Sequence, residues 1–258
     1  MTFLNVADAL CRARASVDEH WSERSAQGAE AGEEELTVRL LMRAWPEIKY
    51  QEFNRPEEGR LGADWLWWFV AEDGECFGVL LQAKKLKKVG DNWYFDLGYL
   101  IGQSKRPQIT TLLDAAEGFD VPAGHILYCG DTDYRQGLDC GVDHDMRAVC
   151  ERCQRSGVTV LSGLCAKYLL EHSEPGDGIF RASRPLEEIV LPAREPVFDL
   201  NLGGIHDDLR RLLVEPQAQA RAVAKHLFPA GSKDALGAPC HGRHRPARAN
   251  PGWRARVR

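Results

Sequence analysis

The sequence predicts an α/β protein, a small mixed sheet flanked by helices. Two observations carry this. From residue 33 the pattern runs helix, strand, strand, strand, helix, strand. Two of those strands, 63–71 and 76–86, are strongly apolar and are joined by Glu72-Asp73-Gly74-Glu75, an Asp-Gly hairpin signal.

The elements follow in order. Val6, Ala9, Leu10, Ala13 and Val17 recur at helical spacing and predict a helix over 5–24, with Trp21 continuing the stripe. Residues 25–32 have the composition of a linker. A second helix starts near Glu33 with an acidic first turn, which the helix dipole favours, and Pro46 closes it. Residues 48–51 alternate like a short strand, and the two hairpin strands come next. Trp93-Tyr94-Phe95 is expected to extend the sheet after a turn at Gly90-Asp91-Asn92. Further helices are expected at about 107–117, 144–154 and 162–171, and strands at 125–129 and 158–161. Residues 173–204 are Pro-rich and read as loop, 205–214 and 217–228 as helices, and 230–258 as disordered for want of apolar periodicity. The organisation expected is an N-terminal helix and linker (1–32), a core (33–172), a loop with helices packed on it (173–229) and a basic tail (230–258).

The chain has 258 residues, 44% of them hydrophobic, enough for a sizeable core. No apolar run reaches the length of a membrane span, and the N-terminus lacks the basic flank and apolar run of a signal peptide. The expectation is a cytoplasmic protein with its eight cysteines reduced and no membrane partner. The net charge of −5 disfavours a surface that grips nucleic acid everywhere. Basic residues are nonetheless concentrated in Lys84-Lys85-Leu86-Lys87-Lys88 and in six arginines between Arg243 and Arg258. Such local patches can serve one phosphate backbone.

The most informative residues are Asp64, Gln82 and Lys84, which lie within the two apolar strands. An uncharged polar group left unpaired in a dry place costs about 2–7 kcal/mol, and a charge costs more. Their joint presence is economically explained if they face one another around a metal ion. Asp64 is the best candidate ligand, the Gln82 amide oxygen a weaker one and the Ala83 carbonyl a third; all are hard oxygens suited to Mg²⁺ or Mn²⁺. Lys84 would orient or deprotonate a water, or stabilise charge on a phosphate, and desolvation should lower its pKa. The plainer reading is a strand end where Asp64 and Lys84 reach solvent.

A turn centred between Asp73 and Gly74 puts Asp64 opposite Ala83, one step from Gln82 and Lys84. A bulge, with Gly78 as its expected place, is then needed to bring all three to one face. A further acid is expected from the helix opened by Glu33, Glu34 and Glu35. At about 100° per residue, Glu33 lies nearest the middle of the buried face and Glu34 at its margin, so both are candidates.

Asp64 followed by Gln82-Ala83-Lys84 resembles the PD-(D/E)xK nuclease superfamily, in the Gln-x-Lys form of its Mrr-like restriction endonuclease branch. Gly62-Ala63-Asp64-Trp65, the Gln-Ala-Lys triplet and Gln108-Ile109-Thr110-Thr111-Leu112-Leu113 together look like a family of uncharacterised bacterial proteins in that superfamily. The resemblance spans roughly residues 33–165. It implies a restriction-endonuclease-like sandwich with a mixed sheet of about four to five strands. It also implies Mg²⁺-dependent cleavage of DNA, in phage or restriction and defence biology. Asp64 and Gln82 would be metal ligands, Lys84 the catalytic lysine, Glu33 or Glu34 the helix acid, and Gln108 a helix glutamine facing the site. Lys85, Lys87, Lys88 and Gln108 are the expected substrate contacts, and a homodimer is a candidate assembly. Two departures stand out. Ala63 replaces the motif proline, and Gln82 replaces the strand acid. The second makes an inactive, nucleic-acid- or protein-binding member the alternative.

Other constellations carry less. Cys140, His144, Cys150 and Cys153 are spaced like a zinc site but include a single Cys-x-x-Cys; small buried thiols are the simpler account. Trp65, Trp67 and Trp68 suit a core better than base stacking. Asp131, Thr132, Asp133 and Asp139 read as a polar loop, and Leu202-Gly203-Gly204-Ile205 lacks the spacing and lysine of a phosphate loop.

Overall fold

A computed structural model describes residues 3–70, 76–102, 105–119, 121–138, 150–172 and 176–190. The helices expected at 205–214 and 217–228, and the tail, lie outside the described residues, as do Cys140 and His144.

Two helices come first, α1 (Phe3–Ala26) and α2 (Glu33–Ala44). The predicted stripe of α1 is buried from Val6 to Val17, and α2 buries Leu36, Leu40, Leu41 and Ala44 against the same core. Next are β1 (Lys49–Glu52), α3 (Arg55–Leu61), β2 (Trp65–Val70) and β3 (Cys76–Lys85). Two short ribbons follow, β4 (Lys87–Val89) with β5 (Asn92–Tyr94) and β6 (Leu100–Ile101) with β7 (Arg106–Pro107). Then come α4 (Gln108–Phe119), β8 (Ala123–Tyr128), α5 (Thr132–Gln136), α6 (Glu151–Arg155), β9 (Val158–Ser162) and α7 (Gly163–Glu171). The last described elements are α8 (Gly176–Ala182), β10 (Arg184–Pro185) and a 3-10 turn, Leu186–Ile189.

Among the described residues the main sheet has six strands in the order β1-β2-β3-β8-β9-β10, more than the four to five expected. The extra strand is β10, from the segment read as loop. Its Pro185 is tolerated because the strand lies at a sheet edge, where a missing N–H breaks no ladder. Only β3 and β8 pair in parallel, joined by the α4 crossover; every other pairing in this sheet is antiparallel. Trp93-Tyr94 does not extend this sheet, contrary to expectation. It folds back on Lys87–Val89 as a separate ribbon.

Alternation along β3 sends its side chains to two layers. Lys85 reaches the α1–α2 connection, where its ammonium donates to the Ala31 carbonyl at 2.8 Å and to Glu30. Gln82 and Lys84 meet Gln108 of α4 on the opposite face. Trp65, Trp67 and Phe69 share the face of Leu81 and are buried edge to face, with successive centroids 5.8 and 6.0 Å apart. They are core residues and cannot stack on a base.

Candidate functional site

The hairpin register brings the site residues together, and its ladder from Trp65 to Val70 runs without a bulge. Trp65 pairs with Leu81, and Asp64, one residue before β2, donates its N–H to the same Leu81 carbonyl and meets Gln82 with its side chain. Expectation had put it opposite Ala83. The ladder closes with Val70 opposite Cys76, leaving an odd number of residues, 71–75, between the strands, and this shifts the register by one. Gly78 is an ordinary ladder position facing Trp68. It is small because a Cβ there would lie 3.1 Å from both the Trp68 ring and Val121.

Asp64 is fixed from two sides. Its backbone carbonyl accepts from Phe53 N and its own N–H donates to Leu81 O, both at 2.8 Å. Its Oδ2 accepts from the Ala83 N–H at 2.7 Å and from Gln82 Nε2 at 2.8 Å. Oδ1 takes no hydrogen bond among the described residues. Gln82 Nε2 also donates to the Ala83 carbonyl at 3.1 Å. Beyond Gln82, Gln108 Nε2 donates to Gln82 Oε1 at 2.6 Å, and Lys84 Nζ donates to Gln108 Oε1 at 2.7 Å.

Gln108 owes its place to Gly62. This glycine ends α3 with φ of +68°, and a Cβ on it would lie 2.7 Å from the Gln108 carbonyl oxygen and the Leu112 nitrogen. Only glycine lets the first turn of α4 pack this closely on the start of β2. Of the helix acids, Glu33 points in, its Oε2 accepting from the Lys85 N–H at 2.6 Å. Glu34 is almost fully exposed at the rim and lies 3.7 Å from Arg55. Thr37 Oγ1 and the Tyr128 hydroxyl, 2.9 Å apart, brace α2 against β8 beside it.

These groups line a cleft of about 590 Å³. Burial pushes the Asp64 carboxyl up to about 7, with the nearby Glu33 and Glu58 charges adding to the rise and the Ala83 N–H opposing it. Burial also raises Glu33, against the pull of Lys84, and lowers Lys84, against the pull of Glu33 and Asp64. At the two carboxyls desolvation outweighs the attraction of nearby cations, and at Lys84 it outweighs the two acids, so burial rather than pairing sets the direction of all three shifts. His125, beside Gln82 on β8, is held neutral by burial and by Lys84, its pKa down to about 3.

The donor set suits a hard cation in type: a carboxylate, a backbone carbonyl and an amide. The Gln82 amide is turned the other way, however. Its NH₂ lies between Asp64 Oδ2 and the Ala83 carbonyl, the place where two oxygen ligands converge. Among the described residues no group of three or more His, Cys, Asp or Glu is arranged to hold a metal ion.

The other expected site residues separate. Lys85 borders the cleft, and its ammonium donates to Glu30 and to the Ala31 carbonyl. Lys87 and Lys88 are exposed on β4. Lys87 lies 3.7 Å from Asp96, and Lys88 sits 4.6 Å from the Trp93 ring centroid.

Among the cleft residues that escaped the sequence reading are Glu58 and Tyr99. Glu58 lies on α3, whose signal was legible. Asn54 and Glu57 form a capping box, Pro56 sits in the first turn and Gly62 closes the helix. Tyr99 is 52% exposed, with Lys84 Nζ 5.6 Å from its ring centroid. No motif pointed to it.

Cys150 Sγ accepts from the Cys153 N–H as the cap of α6, and Cys153 is buried. Asp131 caps α5, a short helix where a loop was expected.

The fold and cleft define an α/β protein with a polar site at the junction of a β-hairpin and a crossover helix. The chain matches, over residues 6–251, a family described as a family of unknown function, DUF6615, and it belongs to that family. No curated protein matches it. Among the described residues no helix is long and apolar enough to cross a membrane.

Proposed function

We propose that this chain is a divalent-cation-dependent phosphodiesterase of the PD-(D/E)xK type that cuts DNA. The observation that carries the reading is convergence: Asp64, Gln82 and Lys84, from two adjacent strands, meet Glu33 of α2 and Gln108 of α4 in one cleft. Further support comes from the order α2, β1, β2, β3, α4, β8, which suits a restriction-endonuclease-like sandwich, with α3 inserted between β1 and β2.

In this reading Asp64, the Ala83 carbonyl and the Gln82 amide oxygen hold Mg²⁺ or Mn²⁺, with Glu33 nearby. The cation supplies charge neutralisation at the phosphate and a more acidic water. Asp64 needs no movement, because its Oδ1 is free and its backbone is held on both sides. Lys84 is mostly desolvated and its pKa is lowered, so it can orient the attacking water or meet charge growing on the phosphate. Lys87, exposed in the lining of the cleft, and Lys88, exposed next to it on β4, supply backbone contacts for DNA.

The experiment is incubation of the purified protein with plasmid, linear DNA and RNA, with Mg²⁺ or Mn²⁺, beside Lys84→Ala. Cleavage of DNA that falls by roughly 10²–10³ in the variant is expected. Cleavage indifferent to the substitution would overturn the proposal.

One observation favours a second reading, a nuclease-like protein that binds DNA or a protein without cutting. Gln82 replaces an acid and offers Asp64 its amide nitrogen rather than its oxygen. DNA retention without cleavage under any divalent cation would select this reading.

A further inference from the structure

The hydrogen bonds of the cleft form a chain with one direction. Lys84 Nζ donates to Gln108 Oε1, Gln108 Nε2 donates to Gln82 Oε1, and Gln82 Nε2 donates to Asp64 Oδ2 and the Ala83 carbonyl. Each amide has one accepting and one donating end, so turning one alone would face like atoms with like. Gln82, Gln108 and Lys84 are 3, 8 and 9% exposed, leaving little access for bulk water to repair such a mismatch.

We infer that Gln108 is a positioning residue whose amide sets which end of Gln82 faces Asp64, and that a divalent cation turns both amides together and releases Lys84 from Gln108. The inference rests on the cation-dependent reading above.

The argument is one of polarity. With Asp64 ionised and no cation bound, Gln82 gives Asp64 its nitrogen, because an oxygen there would oppose a carboxylate and a carbonyl. A cation held by Asp64 and Ala83 reverses that preference and takes the oxygen. The Gln82 nitrogen then faces Gln108 and needs an acceptor, so Gln108 presents its oxygen to Gln82 and its nitrogen to Lys84. Two donors now oppose each other, and the Lys84 side chain leaves for the cleft, where Tyr99 borders its path. The lysine is thus withheld from substrate until the cation is in place. Gln108 touches neither cation nor substrate in this scheme.

The test is an NMR titration of full-length protein labelled with ¹⁵N in glutamine side chains, with Mg²⁺ alone as the probe. The Gln82 and Gln108 NH₂ signals are expected to move with the same midpoint. Movement of Gln82 with Gln108 unmoved overturns the coupling and leaves the cation site standing. Absence of any Mg²⁺ response at Gln82 overturns the coupling and the cation-dependent reading together.

Gln108→Glu is the second arm, because a carboxylate can only accept and should hold Gln82 reversed before any cation arrives. In that variant the cation-free Gln82 signals should resemble those of the Mg²⁺-bound wild type. The Mg²⁺ dissociation constant should fall roughly tenfold, since the competent state no longer has to be selected. Gln82 signals unchanged from cation-free wild type would overturn the positioning role.

Discussion

Gln82 Nε2 stands 2.8 Å from Asp64 Oδ2, so the strand glutamine satisfies the neighbouring acid as a hydrogen-bond donor. Gln82→Glu removes that donor and sets a second carboxylate against one already raised to about 7 by burial. In EDTA at pH 8 the variant should lose on the order of 1–3 kcal/mol. Saturating Mg²⁺ should then raise its melting temperature by more than it raises that of wild type. Equal stability of the two proteins in EDTA would show that the Gln82–Asp64 bond contributes nothing.

Glu33 and Glu34 are neighbours in sequence with different surroundings. Glu33 accepts the Lys85 N–H inside the cleft, and Glu34 lies at the rim beside Arg55. Glu33→Gln should lower DNA cleavage by about 10²-fold, the scale of a group that helps hold charge at the reacting centre. Glu34→Gln should change it by no more than about twofold, because an exposed ion pair contributes little. Rates from a single-turnover plasmid assay check both; the reverse ranking would exclude Glu33 as the helix acid.

The helical periodicity of α1 and α2 and the apolar hairpin were legible because burial alone dictates them. So was the inward placing of Glu33, which follows from helix geometry once the buried face is known. The register was not legible. It depends on whether the connection holds an odd or even number of residues, and an Asp-Gly pair does not fix that number. The last strand was also hidden, because two residues, Arg184 and Pro185, carry no alternation to detect. Gln108 could be named from resemblance. Its partnership with Lys84 could not, because it depends on the close approach of α4 that Gly62 permits.

That approach makes Gly62 a sensitive position. A methyl group there would meet backbone atoms of α4 at 2.7 Å, on a residue whose φ is already +68°. Neither neighbour is a flexible side-chain end, so α4 has to shift or α3 to unwind. Gly62→Ala should destabilise by about 1–3 kcal/mol, from overpacking together with left-handed strain. It should also move Gln108 away from Lys84 and Gln82. Urea denaturation gives the first effect and the Gln108 side-chain amide signal the second. A variant as stable as wild type would mean that the α3–α4 contact yields easily.

Away from the cleft, Asp18 of α1 gives a pH signature. It is partly buried beside Arg135 and Arg14, with Oδ2 3.7 and 3.9 Å from their guanidinium nitrogens. Burial raises its carboxyl to about 6 from 3.8, the two arginines opposing and Glu187 adding to the rise. A carboxyl whose folded pKa is raised stabilises most below its unfolded pKa, and that contribution is lost as pH rises through the folded value. Asp18 therefore costs stability progressively between about pH 4 and 6. In Asp18→Asn this dependence should vanish. Relative to wild type the variant should gain on the order of 1–3 kcal/mol on going from pH 4 to pH 7.5. Urea curves of both proteins at the two pH values check it. A stability difference that is the same at both would mean that the two arginines, rather than burial, set the state of Asp18.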